Sequence, residues 1–394
     1  MKQKSALSLI FLTVFIDLLG FGILIPILPA FAKKELLIDE AAIGIAIAIY
    51  SFIQFLFNPV SGKLSDKYGR RPVIIISLFL NAVGYVIFAF THTFIMLLLA
   101  RIIGGIGGSS IGVAQAYIAD VTTKEERSKG MGLIGAAFGL GFVFGPLIGG
   151  LLSNYGYMVT GFAAAGFSML AFLLTIILLP ESNINIGKIS SGSRKLFDIA
   201  AFKSILKQKR LVILIGLFFI LTFSFANIYG TFALLGLQVY GFTDLQNGYM
   251  FGIVGLTSAI IQGGLIGTIT KTLGKKKIMI IGSFLITVNL ALIPYGGSFT
   301  GLAVIGIFLS IGTGILNPTV LSLISEQTDE RIQGVTLGLN QSLSALARML
   351  GPLWGGFAFE YLGYPFPFLT GAVFTSLIFI ATIFYIPKKI KLSN

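Results

Sequence analysis

Apolar runs of about the length a helix needs to cross a membrane, ~20 residues for a ~30 Å hydrocarbon core, recur twelve times in this chain. They fall at 5–31, 41–62, 72–91, 94–119, 129–153, 157–179, 211–238, 245–268, 276–296, 299–324, 332–358 and 363–386. The pattern predicts an all-α membrane protein of twelve transmembrane helices. The first run is too long for the ~7–15 residue core of a signal peptide and has no small-residue cleavage site, so it reads as a retained span. An even number of spans with basic ends (Lys2, Lys4; Lys388, Lys389, Lys391) predicts that both termini face the cytoplasm of a multi-pass protein of the cell membrane. The longest polar stretch, Glu181 to Arg210, divides the chain into a first six-helix bundle over 1–180, a linker over 181–210 and a second bundle over 211–394. Within the linker, apolar residues at 196, 199, 202, 205 and 206 with lysines opposite predict an amphipathic helix lying on the membrane surface.

Composition agrees. Of the 394 residues 55% are hydrophobic and 11% charged, where a soluble domain has about a quarter charged. The net charge of +13 would point to nucleic acid in a soluble protein, but its distribution excludes that partner. Of 28 Lys and Arg, Lys33 and Lys34 fall outside, Arg101 and Arg348 fall within spans, and the rest lie in segments assigned to the cytoplasm. The excess is therefore topological, with anionic lipid headgroups as secondary partners. The chain has no cysteine and a single histidine, His92, so no metal site or thiol chemistry is expected. Gly130 to Gly135 fits G-x-G-x-x-G, but inside an apolar run and after no strand. No phosphate loop of the form G-x-x-x-x-G-K-[ST] exists. Neither an enzyme nor a single-chain ATP-driven pump is expected, and no cofactor beyond a proton.

The halves repeat. Gly145-Pro146-Leu147-Ile148-Gly149-Gly150 recurs as Gly351-Pro352-Leu353-Trp354-Gly355-Gly356, 206 positions later. At the same offset Asp120 meets Glu326 and Gly132 meets Gly338; the turn Gly267 to Lys277 is a weaker copy of Gly62 to Pro72, with Lys271 in place of Asp66. Internal repeats of this kind mark carriers whose two bundles rock around a midplane site.

Asp17 is the only acid inside an apolar run. An ionised carboxylate there is costly and should face the bundle interior, paired or protonated. Asp17 lies ~18 Å from the inner start of its helix and Arg101 ~11 Å from the outer start of its own, at 1.5 Å per residue, so the two reach similar depth. We expect them to pair, either as a proton-coupling site or as a static bond between helices. Burial and a nearby cation push a carboxyl's proton affinity in opposite directions, so small movements can switch it. Arg348 is a second membrane cation with no acid in its own half, open to an anionic substrate group or to helix carbonyls. At the turn, Arg70 is placed to reach Asp120, and Asp66 to cap another helix. Amides within the runs (Gln54, Asn58, Gln115, Asn227, Asn317, Asn340), together with Phe223 and Arg348, are the candidate lining of a cavity for amphipathic organic molecules; each amide serves equally well as an interhelical hydrogen bond.

The turn Gly62-Lys63-Leu64-Ser65-Asp66-Lys67-Tyr68-Gly69-Arg70-Arg71-Pro72 resembles the loop signature of the major facilitator superfamily, and the resemblance extends over essentially the whole chain. The segment around Arg101, Leu98 to Gly108, resembles that family's fourth-helix motif, implicated in proton coupling. Gly141, Gly145, Pro146 and Gly149, at their spacing in span 5, resemble the antiporter motif of exporters, and Asp17 to Pro29 resembles the first-helix motif of drug exporters. Together these imply the drug:proton antiporter branch, with tetracycline-type multidrug exporters as relatives. The resemblance implies two pseudo-symmetric six-helix bundles, proton coupling through Asp17 and Arg101, and a conformational gate of Gly62, Asp66, Gly69, Arg70 and Asp120 that holds the outward-open state and breaks on inward opening. It implies an antiporter-motif hinge at Gly141 to Gly149 and action as a monomer exchanging a small molecule for protons. One departure stands out: those exporters carry further membrane acids in spans 3 and 9, where this chain has Gly84 and the region around Thr287. The alternatives are a uniporter or proton symporter of a metabolite or lipid, or a membrane sensor without flux.

Overall fold

The computed structural model describes residues 3–122, 124–182, 205, 207–328 and 333–385, and every regular element among them is helical. A backbone in lipid must satisfy its own hydrogen bonds, which leaves helices as the way to use apolar runs this long. The spans are Gln3–Lys34 (span 1), Glu40–Tyr68 (2), Arg70–Ala89 (3), Phe94–Val121 (4), Lys124–Ser153 (5), Tyr157–Leu178 (6), Lys209–Gln238 (7), Asp244–Ile260 continued by Ile266–Leu273 (8), Lys275–Leu292 (9), Phe299–Glu326 (10), Gln333–Tyr361 (11) and Phe366–Tyr385 (12). Ten of them are long and apolar enough to cross a membrane on those criteria alone. The other two are span 8, divided by a π-helical turn at Ile261–Leu265, and span 11, which carries Asn340, Gln341 and Arg348. The amphipathic helix expected in the linker lies outside the described residues, apart from Ile205 and Lys207.

Local chemistry fixes the ends. On one face spans 2, 4, 8 and 10 start on side-chain caps: Asp39 accepts from the Ala42 amide, Thr93 from Met96, Thr243 from Gln246 and Ser298 from Gly301. On the other, spans 3 and 9 start directly after Gly69 and Gly274, whose φ of 104° and 73° suits glycine. We call the side with these two glycine turns the basic face and the side with the caps the far face.

Packing repeats between the halves. In the first, spans 1 and 5, 1 and 6, 3 and 4, 3 and 6, and 2 and 4 pack together; in the second the corresponding pairs are 7 and 11, 7 and 12, 9 and 10, 9 and 12, and 8 and 10. The main seams between the halves are span 2 on span 11 and span 5 on span 8, which exchange under the same correspondence. These are two pseudo-symmetric six-helix bundles.

Candidate transport site and gates

Asp17 is 8% exposed and sits inside the first bundle. Asn81 of span 3 donates its amide to both carboxylate oxygens, at 3.0 and 3.1 Å, and the Ser168 hydroxyl of span 6 donates at 3.0 Å. The structure does not bring Asp17 to Arg101, contrary to the expectation from depth. The Arg101 guanidinium, equally buried, lies 4.4 Å over the Tyr50 ring and donates to the Ala46 carbonyl at 3.4 Å. The reason is azimuth: Asp17 faces spans 3 and 6, whereas Arg101 faces span 2. Glycines of span 4 make the room, since a Cβ at Gly105 would meet the Tyr50 carbonyl at 2.8 Å, and one at Gly107 the Asn81 side chain. Gly84 packs against Ala100 and Gly104 of span 4 and leaves the contact with Asp17 to Asn81. Nothing in the apolar pattern singled out Asn81, Ser168 or Tyr50. The depth of Asn81, ~14 Å into its run, was the signal that could have found it.

The antiporter-motif glycines press span 5 onto span 1, backbone against backbone. A Cβ at Gly145 would meet the Gly22 Cα at 2.6 Å, one at Gly141 the Leu18 side chain at 2.8 Å, and one at Gly149 the Ile23 carbonyl. Leu18 adjoins Asp17, so this seam touches the segment that carries the buried carboxyl. The next glycine turns outward: Gly150 and the Pro146 carbonyl lie against Gly248 of span 8. The repeat does the same, with Gly351 and Gly355 on span 7 at Ala226 and Asn227, and Gly356 and the Pro352 carbonyl on Gly44 of span 2. Each copy therefore binds its own bundle with two glycines and the opposite bundle with the third.

At the basic face Arg70 donates to Asp66 at 2.6 Å, to Asp120 at 3.0 Å and to Ser65 at 2.6 Å. Glu181, absent from the candidate residues, accepts from the Arg70 and Arg71 amides at 2.8 and 3.1 Å and so caps span 3. A Cβ at Gly69 would strike that carboxylate, whereas one at Gly62 would meet nothing within 4 Å. The second half keeps the pair as Lys275 with Glu326.

At the far face Lys34 pairs with Asp244 at 2.9 Å, Tyr157 donates to Asp244 at 2.7 Å, Gln238 donates to Glu40 at 2.5 Å, and the Glu40 amide donates to Glu360 at 3.1 Å. Among the described residues, every side-chain hydrogen bond or ion pair between the bundles lies here. The far face is closed. The Arg70 contacts to Asp66 and Asp120 lie within the first bundle and coexist with the bonds at the far face.

The amides expected in the cavity divide. Gln54 donates to the Gly108 carbonyl at 2.7 Å and Asn227 to the Pro367 carbonyl at 2.5 Å, both as bonds between helices, and the Phe223 ring packs on Phe374 of span 12. Asn340 is buried, Asn58, Gln115 and Arg348 are half-buried, and Asn317 is exposed. A row of rings crosses between the bundles from Tyr50 through Phe21 and Phe142 to Tyr229 and Phe225, at centroid spacings of 5.3, 6.0, 6.0 and 5.5 Å.

The chain is 32% identical to the tetracycline resistance protein, class C, of Escherichia coli, over 90% of its own length and 89% of that protein's. It is 30% identical to multidrug resistance protein 1 of Bacillus subtilis (strain 168), over 94% of each. The crystal structure of the human organic anion transporter MFSD10 (TETRAN) superposes with a TM-score of 0.74 at 25% identity, covering 97% of this chain and 100% of that one. The family model described as Major Facilitator Superfamily matches residues 10–296 and 263–393. Two related bundles, their paired glycine seams and these matches establish that the chain belongs to the Major Facilitator Superfamily of membrane transporters.

Proposed function

We propose that this protein is a proton-coupled exporter of amphipathic organic molecules, working by alternating access as a monomer in the cell membrane. The basic face is the cytoplasmic one, because cationic short loops resist translocation. The form described, closed at the far face, then loads substrate from the cytoplasm. Relatives named for tetracycline resistance, multidrug resistance and organic anion transport support a small organic substrate.

The observation that carries the reading is the carboxyl of Asp17, buried among neutral donors one residue from the span 1–span 5 glycine seam. Asn81 and Ser168 can hold it in either protonation state, because Asn and Ser offer both donors and acceptors. Arg101 remains a fixed charge that does not titrate. When the bundles rock, span 5 keeps its seam with span 1 and parts from Gly248 of span 8, which changes the water that reaches the first bundle's carboxyl and so alters its proton affinity. A proton enters from the far side and leaves to the cytoplasm, and the substrate makes the opposite crossing.

The test is flux in proteoliposomes under an imposed pH gradient, with cationic, neutral and anionic compounds offered to wild type and Asp17→Asn. Gradient-driven accumulation that the variant abolishes is the expected result. Equal flux in the two proteins, or flux indifferent to the gradient, removes proton coupling and leaves a uniporter.

A further inference from the structure

We propose that the transported molecule carries an anionic group, of the carboxylate or sulfonate class, which docks on Arg348 while its flat apolar body lies along the row of rings at Tyr229 and Phe142. This rests on the export reading above and names the substrate class of that same site.

The argument begins with charge. The interior of the membrane-spanning region holds Arg101, Arg348 and Asp17; the other acids lie outside the apolar runs. Two fixed cations face one carboxyl, so at least one positive charge has no counterpart even when Asp17 is ionised. An uncompensated charge at this depth is costly, and such residues mark substrate or ion pathways. Arg101 has local compensation in the Tyr50 ring and the Ala46 carbonyl. Arg348 does not. Among the described residues it makes neither an ion pair nor a hydrogen bond, and the ionisable groups within electrostatic reach of it are the neutral phenols of Tyr229 and Tyr50. Its helix begins at Gln333, ~22 Å from it at 1.5 Å per residue, which puts Arg348 deep within its span. Asp17 acts on Tyr50 and Tyr85, but its carboxylate is taken by Asn81 and Ser168.

Geometry supplies the rest. Arg348 is half-buried, and Tyr229 is the ring at which the row enters the second bundle, 6.0 Å from Phe142 of the first. A planar fork of donors beside a row of tilted and edge-on rings fits an aromatic body bearing an oxyanion, which guanidinium binds bidentately. A site shared by the two bundles is also what alternating access requires.

Anilinonaphthalenesulfonate and N-phenylnaphthylamine, the same rings with and without the sulfonate, make a matched pair of probes. Protein-dependent binding is measured by flow dialysis in phosphatidylcholine vesicles, with protein-free vesicles subtracted. Wild type should bind the sulfonate about tenfold or more tighter than the amine, the scale of one charge-assisted hydrogen bond. Arg348→Gln should remove that preference and leave the amine within about twofold, with Arg348→Lys intermediate. Retained amine binding reports that the variants are folded. If Arg348→Gln misfolds, wild type still decides: naphthalenesulfonate should displace the bound sulfonate probe, and naphthalenesulfonamide should not. Equal affinity for the two probes, or equal loss of both in Arg348→Gln, overturns the assignment. So does abolition of sulfonate binding by phosphatidylglycerol or by chloride, which would give Arg348 to a lipid phosphate or an inorganic anion. Sulfonate binding that needs Arg348 without any gradient-driven flux would leave this site standing and remove the export reading; proton-driven flux of the amine without sulfonate preference would do the reverse.

Discussion

Asn81 donates one amide to both oxygens of Asp17, so the one acid in the membrane interior is held by a neutral partner on span 3. Removing either side has distinct consequences. Asp17→Asn should insert and fold normally, because an amide hydrogen-bonds to Asn81 and Ser168 as well as a carboxyl does, yet lose gradient-driven flux. Asn81→Ala leaves the carboxyl with Ser168 alone and should shift the pH dependence of flux while costing about 1 kcal/mol of stability. Flux against pH in proteoliposomes and thermal unfolding in detergent read the two effects.

The third glycine of each motif copy packs on the opposite bundle. Gly150→Val and Gly356→Val place a side chain against backbone of the opposite bundle, at Gly248 and Gly44 respectively. Overpacking of this kind costs about 1–3 kcal/mol, and here only the far-face-closed form bears it. Because the chain has no cysteine, a single cysteine introduced at Ile47 of span 2, which faces Gly230 of span 7, is a unique label site. Either valine should raise its rate of modification by an impermeant maleimide added from the far side.

Lys34 and Asp244 join span 1 to span 8 across that face. Asp244 is nearly buried while Lys34 is more than a third exposed, so the pair should contribute about 1 kcal/mol or less, screened by salt. Lys34→Gln or Asp244→Asn should each favour opening at the far face, read by the same labelling. The double variant should equal the more severe single, since both remove one bond.

Gly69 and Gly62 belong to one sequence motif but differ in space. Gly69→Ala is strained by its φ of 104° and by Glu181, and should lower flux and stability together. Gly62→Ala has open space and should be tolerated, its helical backbone gaining up to about 1 kcal/mol from the better helix former. A comparison of unfolding temperature and transport rate for the two variants checks this.

Tyr50→Phe keeps a ring beneath Arg101 and should retain most activity; Tyr50→Leu removes the cation–π contact, an interaction of about 2 kcal/mol when desolvated. The unfolding temperatures of the two variants measure the difference.

Much was legible in the chain itself. Apolar length gave twelve spans because a bilayer imposes one thickness on every crossing, and the 206-residue repeat gave the two bundles because duplicated sequence packs in duplicate. Glycines at four-residue spacing marked span 5 as a surface for close helix contact. What each glycine touches was not legible: Gly149 and Gly150 are neighbours in sequence yet face different bundles. Depth likewise follows from counting residues along a helix, and it put Asp17 and Arg101 at one level. The direction in which each side chain leaves its helix depends on how that helix is rotated against all its neighbours. Only the tertiary structure decided that Asp17 meets Asn81 and Ser168, that Arg101 lies on Tyr50, and that Arg348 pairs with no carboxylate among the described residues.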